Sequence, residues 1–424
     1  MERPLTKNIK PGEPPLDLKQ YEKAGGYKSV HKALETMTPQ EVIEVVKKSN
    51  LRGRGGAGFP TGVKWESMAS PNEIPGTRYF TINADEMEPA TFKDRVLMDG
   101  DPHQLIEGMI VSAYAVQADV AYIFLRREYP LAKKLLSQAI AEAYDSKYLG
   151  KNILGSGYNL EMILHISAGR YICGEGSAVL NSIEGKRAIP RDKVPRETHV
   201  GLWGKPTITN NVETICNIPH IVNNGGEWFK SLSLTEGSGT KIYGASGKVK
   251  KPGWWELPMG TTLREIFEEH AGGMRNGLNM RGIIPGGAST EFLLEEHLDV
   301  NMDYDSVQKA GSRLGTGTIV VLDDKTCPVG MVHSLERFFA RESCGWCTPC
   351  REGLPWIAAT LEAIDHGKGE LEDLDRLESQ TKLLGMGHTF CALAPGAMEP
   401  LRSALAHFRD DFERHIREKR CPWR

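Results

Sequence analysis

Four cysteines carry the most specific chemistry in this chain. Cys344, Cys347 and Cys350 stand at C-x2-C-x2-C spacing in Ser-Cys-Gly-Trp-Cys-Thr-Pro-Cys-Arg (343–351), and Cys391 follows well downstream. Three sulfurs this close in sequence surround one small volume, and a distant fourth closes it. Four thiolates so placed are the ligand supply of a [4Fe–4S] cluster. Structural zinc is the rival, but its sites commonly join two hooks of two ligands, not three plus one. Pro349 and Pro395, beside these cysteines, suit tight turns. With eight cysteines in all and four in this pattern, the chain suits a reducing compartment better than a disulfide framework. Cys173, Cys216, Cys327 and Cys421 read as packing residues or free thiols.

A second group of residues could hold an anion or a flat ring. Gly53, Arg54, Gly55, Gly56, Ala57, Gly58 and Phe59 form a loop almost without β-carbons, followed by Lys64. Its backbone N–H groups can approach a phosphate closely, and Arg54 and Lys64 add positive charge. It contains G-x-G-x-x-G, but a helix precedes it where a dinucleotide fingerprint needs a strand. Asp85, Glu86 and Glu88 follow a strand that ends in Asn83 and Ala84, where α/β sheets place ligand contacts. Gly169 to Ser177, including Tyr171, Gly174 and Glu175, leads into a helix whose N-terminus offers a second anion or ring site. Glu175 could equally serve only its own helix dipole. Asn210, Asn211 and Thr214 are polar partners of the same kind, or plain helix caps.

The elements that must position these groups alternate. Residues 1–26, with several prolines and Gly25-Gly26, read as an extended arm. Thr38-Pro39-Gln40-Glu41 opens a helix with a capping box. Strands are expected at 79–84, 120–125 and 160–166. Helices are expected from Pro89 through Arg95, over 103–118 and over 130–144. Such alternation predicts a mostly parallel sheet covered by helices. Beyond a Gly/Ser-rich boundary at 232–240, two strands, a helix at 262–271 and two more strands suit a β-grasp, ubiquitin-like module. From Val332 the pattern is helical, with the cysteine loop between the first two helices and Cys391 before the last. Three domains are expected, at 1–240, 241–330 and 331–424.

Composition narrows the classes. A chain of 424 residues, 40% of them hydrophobic, can bury several cores. A net charge of −3 gives no reason to expect nucleic acid. The most apolar stretch, 105–125, is interrupted by Glu107, Gln117 and Asp119 and is not expected to span a membrane. No apolar leader opens the sequence.

Taken together, Gly-Arg-Gly-Gly-Ala-Gly-Phe-Pro (53–60), Asn-Ala-Asp-Glu-Met-Glu-Pro (83–89), Gly-Arg-Tyr-Ile-Cys-Gly-Glu (169–175), Gly-Lys-Pro-Thr (204–207), Asn-Asn-Val-Glu-Thr (210–214) and the cysteine motif make the chain resemble a family. It is the flavin- and NADH-binding subunit of respiratory complex I, the F-type subunit of bacterial NADH:quinone oxidoreductase. The resemblance implies a Rossmann-like flavin domain, a β-grasp domain and a helical bundle carrying the cluster. It implies hydride transfer from NADH to FMN and single-electron transfer to [4Fe–4S] and on towards quinone, within a translocase complex.

The resemblance also implies residue roles. The glycine loop, Lys64, Asn83, Asp85, Tyr171, Gly174, Glu175, Asn210, Asn211 and Thr214 would contact FMN. Phe59, Lys64, Glu88, Tyr171 and Lys193 would contact NADH, with Glu88, Tyr171 and Glu175 nearest the reaction. Cys344, Cys347, Cys350 and Cys391 would hold the cluster. The implied partners are a small [2Fe–2S] thioredoxin-like E-type subunit and the large iron–sulfur G-type subunit. The implied location is the peripheral arm, on the cytoplasmic side of the inner membrane. Three positions depart from the family pattern: Gly176, where relatives carry a second Glu, and Ser67 and Arg196, near which they often carry aromatics. These touch the adenosine half only. The alternative readings are a diaphorase subunit of an NAD-linked hydrogenase or formate dehydrogenase, and an iron–sulfur scaffold without flavin.

Overall fold

The structure is a computed structural model and describes residues 2–424. The chain divides into two compact units. One comprises the residues up to Met87, Phe92–Ile242 and Glu256–Gly260. The other comprises Glu88–Thr91, Tyr243–Trp255 and Thr261–Arg424.

The first unit is built on a four-stranded sheet of β1 (Tyr79–Ala84), β2 (Val120–Leu125), β3 (Glu161–Ile166) and β4 (Thr207–Asn211), in the order β3-β2-β1-β4. All its pairings are parallel. β1 and β2 are nearly continuous apolar runs, as strands covered on both faces must be. β3 lies at the edge and its residues are more exposed. The crossover from β1 to β2 uses the helices Lys93–Gly100 and Pro102–Ala115, and that from β2 to β3 uses Pro130–Asp145. Pro102–Ala115 is buried almost all round. Gly108 on it permits close contact with the helix Val212–Cys216, because a β-carbon there would collide with Ile215 O. The chain runs outward from β1 to β3, then returns to place β4 on the other side of β1. The sheet therefore has its topological switch point between β1 and β4.

Two expectations change here. The N-terminal residues are not a loose arm: Leu5 is fully buried, and Tyr21 Oη donates to Glu107 Oε2 at 2.6 Å. Leu5 N and Thr6 N donate to the Glu256 carboxylate at 3.1 and 2.8 Å. Prolines and glycines signalled irregular backbone correctly, but irregular backbone can still bury anchors. The helix expected from Pro89 begins at Lys93, because Ala90 takes φ +70°, outside the helical region.

The second sheet, most of it in the second unit, holds β5 (Thr240–Gly247), β6 (Gly253–Pro258), β7 (Met280–Ile284) and β8 (Thr318–Asp323) in the order β6-β5-β8-β7. β8 runs parallel to β5 and antiparallel to β7, the mixed pairing of a β-grasp sheet. Its helix is a short, wide turn, Glu265–His270. The helices Pro328–Glu342, Thr348–Asp365, Leu371–Leu383, Leu393–His407 and Arg409–Glu418 follow. The apolar stripe from Leu401 to Ile416 reads as one helix, yet the helix breaks at Phe408 (φ −126°, ψ 22°). Cys391 thus precedes the penultimate helix, not the last. Phe408 packs edge-on against Phe292, with its ring centroid 5.2 Å away, and under the Arg281 guanidinium at 5.0 Å. Arg281 also pairs with Asp411 at 2.7 Å, so the β-grasp strands and the bundle share contacts within this unit.

Candidate functional site

In the first unit, the sequence-predicted residues gather at the carboxyl ends of β1 and β4. The register places Asn83 directly opposite Asn211. A crevice outside strand ends at a switch point is where open α/β sheets receive ligands. The glycine loop leaves the capped helix Pro39–Lys48 and enters the helix Thr61–Glu66. It is pinched at its base by Gly53 N to Phe59 O at 2.8 Å and Thr61 N to Leu51 O at 2.8 Å. A β-carbon at Gly55 would lie 3.2 Å from Asn211 Cβ, so the loop rests on the end of β4. Gly56 and Gly58 take φ +125° and +66°, which glycine adopts without strain. Gly55, Ala57 and Phe59 are exposed on the loop.

Arg54 behaves differently from a phosphate arm. It is fully buried, and its Nη2 donates to Ser238 O at 2.7 Å and Thr240 O at 3.2 Å. Its backbone N donates to Thr214 Oγ1 at 2.8 Å, so Thr214 anchors the loop. Lys64 Nζ donates to Thr209 O at 2.7 Å and pairs with Glu197 Oε1 at 3.1 Å. Asn210 Oδ1 accepts from the buried Trp65 Nε1 at 3.0 Å. Asn83 Nδ2 donates to Cys173 O at 2.7 Å, which draws the Tyr171–Gly174 turn against the end of β1.

Beneath Asn211 lies a buried charge network. Asn211 Nδ2 donates to Asp94 Oδ2 at 2.7 Å, and Asp94 Oδ1 pairs with Lys93 Nζ at 2.6 Å. Glu213 Oε2 lies 3.1 Å from both Lys93 Nζ and Lys241 Nζ. All four charged groups are nearly inaccessible. Burial pushes the Glu213 carboxyl up, but Lys241, Lys93 and Arg54 outweigh it and hold it below the usual range. Burial lowers Lys241 to about 8 against the pull of Glu213. Burial and the nearby Asp94 raise Glu86 to about 7. Three cations, Lys93, Lys241 and Arg54, thus stand around Glu213, with Asp94 and Glu86 beside Lys93.

Asp85 carries an open acceptor. Its Oδ2 accepts from Ser167 Oγ at 3.0 Å, while Oδ1 is buried without a hydrogen-bond partner. Burial pushes its carboxyl up to about 6, against the opposing hydrogen bonds from Ser167 and the Arg170 N–H. Glu175 does what a capping acid does. Its carboxylate accepts from Ala178 N at 3.0 Å and from the Ser177 hydroxyl, at the start of the helix Gly176–Ile183. Gly174 is exposed, and a β-carbon there would meet nothing within 4 Å. Lys193 is exposed in the loop that contains the cis Val194-Pro195 bond. Glu88 belongs to the second unit, where its Oε1 accepts from Ser289 N at 2.8 Å.

Two features of the crevice fit FMN. A glycine loop on a strand end bares N–H groups above buried Lys93, Lys241 and Arg54, which suits a phosphate. The unpartnered Asp85 Oδ1 is an acceptor for a ligand hydroxyl.

The second unit gathers the thiols. Cys350 is buried, with Cys344, Cys347 and Cys391 half-buried. Burial pushes the Cys350 thiol up to about 12, and Cys347, Cys391 and Cys344 all lie close enough to add to that shift. Cys347 precedes the first turn of the helix Thr348–Asp365, whose N-terminal dipole favours thiolates. Ser343 Oγ lies 3.2 Å from Cys350 Sγ and accepts from Gly345 N at 3.2 Å. A four-thiol set in three-plus-one order is the donor set of a [4Fe–4S] cluster. Trp346, Met386 and Phe390 are exposed apolar residues near the cysteines in sequence.

Sequence reasoning missed Glu197, Lys93, Glu213 and Lys241. Glu197 sits in an irregular loop without periodicity. The others are charged residues of helices and a strand that read as surface groups until their mutual pairing is seen.

Comparison with known proteins adds a consistent picture. Residues 46–220 match the Nuo51 FMN-binding domain, residues 241–320 the SLBB domain, and residues 330–415 the NADH-ubiquinone oxidoreductase-F iron-sulfur binding region. The chain is 52% identical to the F-type subunit of NADH-quinone oxidoreductase of Salmonella typhimurium over 415 residues, 98% of this chain and 93% of that protein. It is 45% identical to the protein of the same name in Mycobacterium bovis over 406 residues, covering 95% and 91%. Among solved structures it resembles an NAD+-reducing [NiFe]-hydrogenase in the H2-reduced state, with TM-score 0.80 and 33% identity. That match covers 96% of this chain and 66% of the hydrogenase chain.

Proposed function

This chain belongs to the family of F-type NADH-quinone oxidoreductase subunits, and on that footing we propose how its residues serve the reaction. It is an NADH dehydrogenase subunit of complex I, with FMN and a [4Fe–4S] cluster as cofactors and other subunits of the complex as partners. When bound, the cofactors supply the redox chemistry: hydride passes from NADH to FMN, and electrons leave singly through the cluster towards quinone.

The chain's own residues bind, orient and tune. Gly53, Gly55, Gly56, Ala57 and Gly58 offer backbone donors to the FMN phosphate and ring, and Thr214 fixes the loop through Arg54 N. Arg54 acts through its charge from below. Asn83, Asn210 and Asn211 hold the strand ends and the flanking turn in register. Asp85 Oδ1 accepts a hydrogen bond from an FMN hydroxyl. Gly174 leaves room at the turn where Tyr171 and Glu175 flank the nicotinamide. Phe59, Lys64 and Lys193 contact the nucleotide. Cys344, Cys347, Cys350 and Cys391 hold the cluster.

The observation that carries this reading is the glycine loop seated on Asn211 at the β1/β4 switch point, in a chain whose residues 330–415 match the iron-sulfur binding region. The working domain division is 1–240, 241–330 and 331–424. The partners we propose are the E-type [2Fe–2S] and G-type iron–sulfur subunits, with Trp346, Met386 and Phe390 as an apolar docking rim. The site of action is the cytoplasmic side of the membrane; no helix among the described residues is long and apolar enough to cross one. A diaphorase role draws on the hydrogenase likeness, at lower identity than the F-type relatives. Cofactor analysis tests the reading. The purified protein should contain FMN and about four irons per chain and should reduce ferricyanide with NADH. A protein that folds with iron but cannot take up FMN would refute it.

A further inference from the structure

Cys327 and Cys421, read from the sequence as packing residues or free thiols, come together in the second unit with Asp365 and His415. One ligand atom from each lies within 4.8 Å of the others. Cys327 Sγ is 3.3 Å from His415 Nε2, which is 3.9 Å from Asp365 Oδ1. Zinc bonds of about 2.3 Å to sulfur and about 2.0–2.1 Å to nitrogen or oxygen put tetrahedral ligand atoms about 3.3–3.8 Å apart. The observed spacings need only small adjustments to meet that geometry.

The surroundings are those of a ligand set. His415 is fully buried, and its Nδ1 lies 2.7 Å from Asp411 O. Nδ1 therefore donates, and Nε2 presents a lone pair towards Cys327, as an imidazole ligand must. The ring stacks on Trp423 at 5.6 Å. Gly330 N donates to Cys327 Sγ at 3.2 Å, a bond that favours a thiolate. Asp365 has two oxygens. Arg424 pairs with Oδ1, the oxygen that faces His415, and His333 Nδ1 lies 3.7 Å from Oδ2. On metal binding Oδ1 would exchange Arg424 for the ion, while Oδ2 keeps its place beside His333.

The placement says what such a site would do. Cys327 caps the start of the helix Pro328–Glu342, which ends just before Cys344. Asp365 ends the helix Thr348–Asp365, which starts just after Cys347 and carries Cys350 in its first turn. The two helices form a hairpin with the four cluster thiols at its closed end and this second set at its open end. A helix of 18 residues spans about 27 Å, too far for the two sets to share a metal. His415 and Cys421 bring in the last helix and the C-terminal segment.

We propose that Cys327, Asp365, His415 and Cys421 bind a structural zinc ion that clasps the C-terminal segment to the open end of the hairpin bearing the iron–sulfur ligands. Two thiolates, an imidazole and a carboxylate make a soft, closed set suited to zinc.

The test measures zinc in the purified, FMN- and iron-containing protein and records its zinc K-edge absorption. The expected result is about one zinc per chain, with two sulfurs at about 2.3 Å and two lighter neighbours at about 2.0–2.1 Å. In the variant Cys327→Ser/Cys421→Ser, zinc should fall to background while iron and FMN stay. The proposal is overturned by protein that takes up no zinc after incubation with zinc chloride, or by a first shell of four sulfurs or none. It is equally overturned by a Cys327–Cys421 disulfide in peptide mapping, or by zinc that survives the double substitution. Should the variant fail to fold, the edge spectrum of the unaltered protein still decides.

Discussion

Glu197 Oε2 lies 3.1 Å from the point where a β-carbon on Gly176 would stand, and Glu197 Oε1 lies 3.1 Å from Lys64 Nζ. From the sequence, Gly176 reads as a lost carboxylate, and hence as weaker NADH binding and weaker rejection of NADPH. The structure puts a carboxylate from another loop into that space, held by Lys64. Glu197 can therefore take over ribose binding and phosphate repulsion. A charged hydrogen bond is worth about 1.5–3 kcal/mol, or roughly ten- to 150-fold in affinity. Glu197→Gln should raise the KM for NADH within that range and lower the NADH/NADPH preference, with kcat little changed. Gly176→Glu should restore the preference in the Glu197→Gln background. Steady-state kinetics with both nucleotides check this, and unchanged parameters in Glu197→Gln would show that Glu197 does not meet the nucleotide.

Asp85 makes flavin binding depend on pH. Its carboxyl is raised to about 6 by burial, so the protonated form dominates below that pH. A ligand hydroxyl donating to Oδ1 favours the ionised form and lowers the pKa in the complex. FMN affinity should then rise by up to about tenfold per pH unit on approaching pH 6 from below, and level off above it. Folding carries the opposite sign: without ligand, an acid whose pKa is raised loses stability as pH rises from about 4 to 6. Titrating the deflavinated protein with FMN at several pH values tests the first statement. Asp85→Asn should remove the slope.

Much of the first unit is legible in the sequence because apolar runs and capping signals are local. β1 and the capping box at Thr38 and Glu41 stand where pattern reasoning puts them. What is not legible depends on distant partners. Arg54 reads as a ligand arm, yet carbonyls at 238 and 240 turn it inward. Leu5 sits in a proline-rich stretch, yet it is fully buried, and Glu256 holds its backbone N–H. Phe408 lies on a continuous apolar stripe, and only its packing under Arg281 marks a helix break. Asn83, Asn211 and the cysteine spacing could be picked out because their residue types are chemically unusual for their positions.

Glu213 neutralises buried cations, and its removal should be costly. Glu213→Gln would leave Lys93, Lys241 and the nearby Arg54 facing only Asp94 and the partly protonated Glu86. Breaking a buried pair by removing one partner costs about 3–5 kcal/mol. Chemical denaturation of the flavin-containing protein should show a loss of that size. A loss below about 1 kcal/mol would mean that water or neighbouring groups solvate the lysines.

The cluster thiols and the crevice lie in different compact units. Cys391→Ser should accordingly destabilise the [4Fe–4S] centre while most FMN stays bound. Ferricyanide reduction by NADH should partly survive, and the electron paramagnetic resonance signal of the reduced cluster should be lost or altered. A folded Cys391→Ser protein without FMN would contradict this independence.

If one chain takes hydride equivalents from NADH at the glycine-loop crevice and passes them to its own thiol-bound iron, both chromophores must respond to the nucleotide. Anaerobic titration of the purified protein with NADH, followed by visible absorption, measures this. The flavin bands should bleach along with the broader iron–sulfur absorption, and the iron–sulfur bleaching should be greatly weakened in deflavinated protein. Flavin bands that persist under excess NADH, in protein whose FMN is fully bound, would contradict hydride transfer at this crevice.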